Sequence, residues 1–417
     1  MDRCLENQLM QALLQKNYLQ YDVNHINKKY RRSEFINNDF SLHTGEEDGV
    51  TVRVLDKNYR YVQVNFSSPF TIEECIATIE LMLKTALPDK NRKLYCEYPQ
   101  NRENKGDYCL IKGGKNLDLS ILLQSVKNEL EDQETTVLSA NISYVEEKIC
   151  YWNASTEIDS YKKNYGVISL VISVRDSAGN CHMYIGVEDL DFLINSYNIF
   201  ISNTKNKLQI YMQKQCKKIR EGLYDVVFSK SFFYYLFHKH YIREFYHLDE
   251  MKMKYSPFVN LTDSGILENG FNTRPFDYEG TITKKTSLLR SGKKVGSLVS
   301  MIQAEKYEKS PTGNMIKENI EDEIKLEFTN LMFDIQENHS GEYIYVNTSG
   351  TGEITNVFPT TFAILIKNNK KIPLEQFNIN LNFEELFQKV SKIPESYNHI
   401  MGMYFPDIVF KNVKVFY

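Results

Sequence analysis

The residues with the strongest claim to chemistry are the histidines of FFYYLFHKHYIREFYH, residues 232–247. The stretch is aromatic, and its pattern predicts a helix. A protease helix of the H-E-x-x-H kind holds zinc with two histidines one turn apart and a Glu beside the metal-bound water. His238 and His240 are two residues apart, so about 200° of helical rotation points them to nearly opposite sides. His240 and His247 share a face but lie about 10 Å apart along the axis. One ion with bonds of ~2.1 Å cannot bridge that gap. The helix is therefore read as structural, its aromatic face buried and its histidines at the edge.

Asp263-Ser264-Gly265 is the tripeptide of aspartic proteases. That chemistry needs two carboxylates sharing a proton, and no second D-[ST]-G follows, so turn chemistry is the expectation. SGTGEIT (349–355) lacks the third glycine of a dinucleotide fingerprint, and KGGK (112–115) lacks the G-K-[ST] ending of a P-loop. There is no G-x-S-x-G elbow. The acidic run KENIEDEIKLE (317–327) reads as a solvated face. No motif gives this chain a catalytic residue or a metal ligand of its own.

The elements that must position these residues belong to a chain of 417 residues, long enough for two or three domains. Apolar residues make up 42 % and charged residues 25 %, which allows a large core. A formal net charge of -4 gives no reason to expect a nucleic-acid partner. No run approaches the ~18 apolar residues of a membrane span, and MDRCLENQLMQALLQ lacks the apolar core of a signal peptide. The seven cysteines are odd in number and none lies beyond Cys216, which suggests reduced thiols and a cytoplasmic location.

Residues 4–20 read as a helix, 49–66 as a hairpin, and 67–87 as a capped helix. Residues 88–116 are polar and loop-like. LSILLQSVKNELEDQ reads as a helix and VLSANISYVEEKICYWNAS as two strands. Residues 165–186 read as a hairpin turning at DSAGN, and 188–220 as one long helix or two. Beyond 221 the chain is strand-rich after a first helix. It has a hairpin turning at Ser291-Gly292, a late helix in NFEELFQKVSKI and a terminal strand. The fold class expected is α+β. An N-terminal domain, residues 1–218, holds two sub-units of about 1–87 and 117–218. A β-rich, barrel-like domain, residues 219–417, has a long helix near its start.

The order of these pieces resembles the TldD/PmbA family, formerly called modulators of DNA gyrase. GVTVRVLDKNYRYVQVNF with its following helix looks like the family's N-terminal unit. KKIREGLYDVVFSKSFFYYLF (217–237) is similar to the lead-in to its C-terminal domain. TRPFDYEGTITKKTSLLRSGKKVGSLVSM (273–301) resembles its PFDxEG element and hairpin. AEKYEKSPTGNM (304–315) resembles its A-x-K-x-G-x-x-S-T-G-N loop, with Pro311 in the place of the serine. The family pairs two kinds of subunit. TldD-type chains carry H-E-x-x-x-H and a C-terminal Cys ligand, and the PmbA or TldE type lacks both. This chain lacks both as well, so it resembles the metal-free subunit.

The resemblance implies a heterodimeric zinc metalloprotease whose TldD-like partner supplies the zinc and the general base. It implies cleavage of unfolded peptides, such as leader peptides of ribosomally made natural products, held as an added strand inside a shared chamber. The resemblance places Asp277, Glu279, Gly280, Thr312, Gly313 and Asn314 near that cavity as substrate-binding residues. Their competing reading is structural: Gly280 and Gly313 as turn glycines, Asp277 and Asn314 as turn side chains. The family's ELMG run is replaced by VNTSGTG (346–352). A rival function is a precursor-peptide binding or chaperone module without a protease partner. Another is a stand-alone hydrolase using Asp263.

Overall fold

The computed structural model describes residues 3–36, 39–90, 92, 94, 107–109, 111, 114–212, 214–246, 251–348 and 356–417. His247, the SGTGEIT segment and the first half of KGGK lie outside the described residues. The fold is α+β, 23 % helix and 44 % strand.

The N-terminal half runs α1 (Arg3–Gln15), β1 (Gln20–Ile36), β2 (Asp39–Leu55), β3 (Tyr61–Ser67), α2 (Ile72–Thr85), β4 (Asp107–Cys109), α3 (Leu119–Leu130), β5 (Thr135–Asn153), β6 (Thr156–Arg175), β7 (Cys181–Asp189), α4 (Leu190–Asn195) and α5 (Tyr197–Met212). Both sub-units lend strands to one sheet, in the order β3-β2-β1-β5-β6, with β4 and β7 both on the outer side of β6. The sheet has two faces because successive side chains alternate. On one face Tyr21, Val23, Val52 and Trp152 pack under α1 and α2, through Leu9, Leu13, Ile76 and Ile79. Further along the same face, Ile142, Tyr144 and Ile172 meet α3 and α5. The opposite face presents Ile26, Ile149, Tyr151 and Tyr161, which receive Phe276, Tyr278 and Ile320 from the C-terminal half. That second face is where the PFDYEG loop is seated.

The C-terminal half runs β8 (Gly222–Phe228), α6 (Lys230–Leu236), β9 (Val259–Ser264), β10 (Lys285–Arg290), β11 (Lys293–Lys294), α7 (Met301–Lys306), β12 (Met315–Ile316), β13 (Lys325–Leu326), β14 (Leu331–Ile335), β15 (Tyr343–Thr348), β16 (Val357–Lys367), β17 (Lys370–Leu374), β18 (Asn378–Asn380), β19 (Val390–Lys392), β20 (Asn398–Ile400), β21 (Met403–Phe405) and β22 (Ile408–Phe416). Strands β15-β8-β22-β18-β16 close on themselves through the β15–β16 pairing, giving a five-stranded barrel. A second sheet has the order β11-β10-β9-β14-β21-β20. The helix after β8 continues past α6 as a π turn, Phe237–Tyr241, and a 3-10 turn, Ile242–Phe245. Its Phe233, Phe237 and Tyr241 pack with Phe333, Phe387 and Phe405 between barrel and sheet.

Four local expectations are corrected. The first helix stops at Gln15, and residues 20–36 form a strand that sequence periodicity does not reveal. NKKYRRSE has no alternating apolar set because backbone ladders to β2 and β5 on both sides hold it. Residues 135–153 are one strand. In its polar middle Glu147 lies opposite Lys28 of β1 and Lys163 of β6, where cross-strand charge pairs replace apolar contact. The C-terminal half opens with a strand, β8, before its helix. The late helix is only a 3-10 turn, Leu386–Gln388, because Phe387 is drawn into the core and Val390–Lys392 pairs with β22. Tertiary pairing outweighs helix propensity there.

Candidate functional site: the buried loops beneath the N-terminal sheet

PFDYEG forms a tight turn whose polar groups point inward. Asp277 accepts from the backbone N–H of Glu279 (2.8 Å) and Thr281 (3.0 Å) through one oxygen, and from Met315 N–H (2.9 Å) through the other. Gly280 sits at φ +70, and a Cβ there would collide with the Tyr151 ring. Glu279 accepts from Met301 N–H at 2.7 Å and lies 3.4 Å from Arg53 Nη1. Arg53, on β2, also grips both oxygens of Asp22 on β1, with Nε 2.8 Å from Oδ1. One guanidinium thus joins two strands of the N-terminal sheet to a C-terminal loop. Burial opposes its charge, but Asp22 and then Glu279 outweigh it and hold its pKa above the ordinary value. Burial raises the carboxyls of Asp277 and Glu279.

The SPTGN loop lies beside this turn. Thr312 accepts from Val299 N–H at 2.8 Å. Gly313, at φ +77, passes so close to Thr283 that a Cβ would come within 2.7 Å of its Cα. Asn314 donates to Asp263 Oδ2 (2.8 Å) and to Glu327 carbonyl (3.1 Å). Asp263 is not a turn residue. It lies at the end of β9, and it also accepts from Thr329 N–H (2.7 Å) and Thr329 hydroxyl (2.8 Å). Fully buried, its carboxyl is pushed up to about 6, with those donors working in the opposite direction. The six residues the resemblance singles out are therefore brought together, with Asp263 joining them. Their polar side chains are buried and each bonds to backbone or to a neighbouring loop, while Asn314 Oδ1 has no partner among the described residues. The arrangement acts as a floor that fixes loop positions. It presents no free acid or base.

The helix singled out first places its histidines apart. His238 Nε2 lies 3.3 Å from Glu327 Oε2, while the other Glu327 oxygen accepts from the Tyr246 hydroxyl at 2.6 Å. His240 instead stacks flat on Phe383, ring centroids 4.0 Å apart. The π turn shifts the angular phase of the helix, yet the two rings still go to different neighbours.

Sequence reasoning missed three other groupings, all formed by tertiary contact. A cavity of about 410 Å³ lies between β7, α5 and the barrel, with Lys207, Tyr345, Lys230, His399 and Asp407 in its walls. Two of its charges are already paired, Lys230 with Glu188 and His399 with Asp189. Glu6, His25 and Cys150 converge under α1, where His25 bonds Glu6 at 2.6 Å and Asp48 at 2.9 Å. Asp176, His182 and Cys216 converge where β7 meets the segment leading to β8. Residues 175–216 of the sequence carry no metal-ligand spacing, so no local signal announced the last group.

Residues 221–416 match the family model described as the PmbA/TldA metallopeptidase C-terminal domain. No curated protein matches the chain at a significant level. Among solved structures the chain is similar to TldE from Thermococcus kodakarensis, at 16 % identity and a TM-score of 0.79 over 99 % of both chains. It is similar to a protein from Thermotoga maritima described as a modulator of a DNA gyrase, at 16 % identity and a TM-score of 0.80 over 99 % of both chains. A third similar structure, from Bacteroides thetaiotaomicron and also described as a modulator of DNA gyrase, has 17 % identity and a TM-score of 0.73 over 99 % and 98 %. These likenesses establish the fold over the full length, and the family match rests on the C-terminal domain. Residues 221–416, which hold the barrel and the PFDYEG and SPTGN loops, carry the PmbA/TldA metallopeptidase C-terminal domain, and together with the full-length likeness of fold this supports the TldD/PmbA family.

Proposed function

We propose that this chain is the non-catalytic, TldE-like subunit of a heterodimeric zinc metallopeptidase. A TldD-like partner supplies the zinc and the general base, and the pair cleaves unfolded peptides such as leader peptides of ribosomally synthesised natural products, in the cytoplasm. The chain contributes half of the chamber and part of the substrate groove. Asp277, Glu279, Gly280, Thr312, Gly313 and Asn314 shape that groove from beneath by fixing its loops. The observation that carries this reading is the divergence of His238 and His240, one to Glu327 and the other onto Phe383. Among the described residues no third His, Cys, Asp or Glu joins either of them in a metal-binding group. The helix that the resemblance puts in the place of the metal helix packs into the core through Phe233, Phe237 and Tyr241.

The test is reconstitution. The purified chain, a TldD-like partner and the two together are each given an unfolded peptide substrate. Cleavage by the mixture, abolished when the partner's H-E-x-x-x-H glutamate is replaced by Gln, is the expected result. Cleavage by this chain alone, lost in H238A, would overturn the proposal. Tight peptide binding that a TldD-like partner neither joins nor converts into cleavage would favour the precursor-binding module instead.

A further inference from the structure

Asp176, His182 and Cys216 lie in the N-terminal half, at the seam with the barrel. Asp176 opens the DSAGN turn between β6 and β7. Its Oδ1 accepts the backbone N–H groups of Ala178 and Asn180, both at 2.9 Å, and its Oδ2 accepts from Asn180 Nδ2 at 3.1 Å. Those bonds fix the carboxylate. His182, one residue into β7, sends its Nε2 to within 3.1 Å of the same Oδ2. Cys216, on the segment that leaves α5, brings Sγ to within 3.4 Å of that same Nε2. All three side chains are more than nine-tenths buried. The His182 ring rests on Tyr211, centroids 4.8 Å apart.

Two explanations need no ligand, and the geometry disfavours the first. A Cys-His-Asp catalytic triad uses the two imidazole nitrogens separately, one for the thiol and one for the carboxylate. Here both partners crowd Nε2, and Nδ1 is buried without a hydrogen-bond partner among the described residues. A plain hydrogen-bonded cluster is the competing arrangement, with the Nε2 proton and the thiol proton both lying where Asp176 Oδ2, His182 Nε2 and Cys216 Sγ meet. A cation at that point satisfies all three. With bonds of ~2.0 Å to N and O and ~2.3 Å to S at tetrahedral angles, the N···O and N···S separations would be about 3.3 and 3.5 Å. The observed 3.1 and 3.4 Å are nearly there without rearrangement.

We propose that Asp176 Oδ2, His182 Nε2 and Cys216 Sγ form a binding site for a thiophilic divalent cation, zinc above all, with water completing the tetrahedron. On binding, the Cys216 S–H bond breaks and the metal–sulfur bond forms, and the proton leaves to solvent. The imidazole proton moves from Nε2 to Nδ1. No electron is transferred. Cys216 directly precedes Lys217, which pairs with Pro373 and Leu374 beside the barrel. The ion would therefore pin the β6–β7 turn to the strap that joins the two halves, a structural role distinct from peptide cleavage. The Glu6–His25–Cys150 group makes the contrast. There His25 has separate carboxylates on its two nitrogens, so an imidazolium already satisfies the arrangement.

The test uses the full chain, stripped with chelator and titrated with cobalt(II). One equivalent should produce thiolate-to-cobalt charge-transfer absorption, displaced by one equivalent of zinc with release of a proton. The absorption should vanish in C216S and shift in D176N. H182Q should weaken zinc binding by more than about 100-fold, the scale set by losing even an outer partner of a metal site. C181S and C150S should leave the titration unchanged. Far-UV circular dichroism checks that each variant is folded. The proposal fails if the folded wild-type chain gives no thiolate band. It fails equally if the band survives in both C216S and H182Q, or if it disappears only in C150S. Peptidase activity enters none of these readouts, so the site and the subunit assignment stand or fall separately.

Discussion

Replacing Asp263 by Asn tests the physics of the buried loops directly. Asp263 is 1 % exposed and accepts three hydrogen bonds, from Asn314 and from the amide and hydroxyl of Thr329. Burial nonetheless raises its carboxyl from 3.8 to about 6. A folded-state value above the unfolded one means the group's stabilising contribution is complete below about 3.8 and is lost as pH rises through about 6. The gap of ~2 units corresponds to about 3 kcal/mol, of which about 2 kcal/mol falls between pH 4.5 and 7.5. The amide introduced by D263N keeps the shape and one acceptor oxygen but cannot ionise. The deficit of D263N relative to wild type should therefore shrink by about 2 kcal/mol between those two pH values. Other titrating groups cancel in the difference. Urea unfolding followed by circular dichroism at both pH values, at constant ionic strength, gives the number. A deficit that stays constant to within ~0.5 kcal/mol, or that grows with pH, would refute the claim that burial dominates this carboxylate.

Other outcomes follow from the same packing. Gly179 has positive φ and nothing within 4 Å of its missing Cβ, whereas Gly313 would strike Thr283 and Gly280 would strike Tyr151. G179A should cost about 1 kcal/mol, and G280A and G313A about 3 kcal/mol or more, by denaturant midpoint. R53K keeps the charge but loses the two-pronged grip on Asp22, and should destabilise by about 2–3 kcal/mol. The fluorescence of the chain's one tryptophan, Trp152, buried in the same sheet, would follow that transition. Burial alone would lower His25, but hydrogen bonding to Cys150, Glu6 and Asp48 lifts it to about 10. Its stabilising contribution is therefore complete below about 6.5 and lost as pH rises through about 10. Histidine-labelled NMR should show this ring still as imidazolium at pH 8. T71A removes the capping box that Thr71 and Glu74 make at α2 and should cost about 1 kcal/mol by the same unfolding assay.

The sequence by itself determined whatever depends on neighbours in the chain. The 49–66 hairpin, the capped helix that became α2, the turn at DSAGN and the left-handed pair Ser291-Gly292 are set by side-chain alternation, caps and turn residues. Ordered motifs were likewise legible, since PFDYEG and SPTGN keep their spacing whatever they contact. Tertiary structure decided the rest. The strand at 20–36 exists because two neighbours complete its ladders, not because its own residues alternate. Asp263 looked like a turn residue because its partners, Asn314 and Thr329, lie 51 and 66 positions away. Cys216 lies 34 positions from His182 and the two meet only once α5 has doubled the chain back across the sheet. Spacing along a chain encodes a site only when one element carries all of it. Where donors come from separate elements, their convergence is a property of packing, and packing is what the linear order of residues does not display.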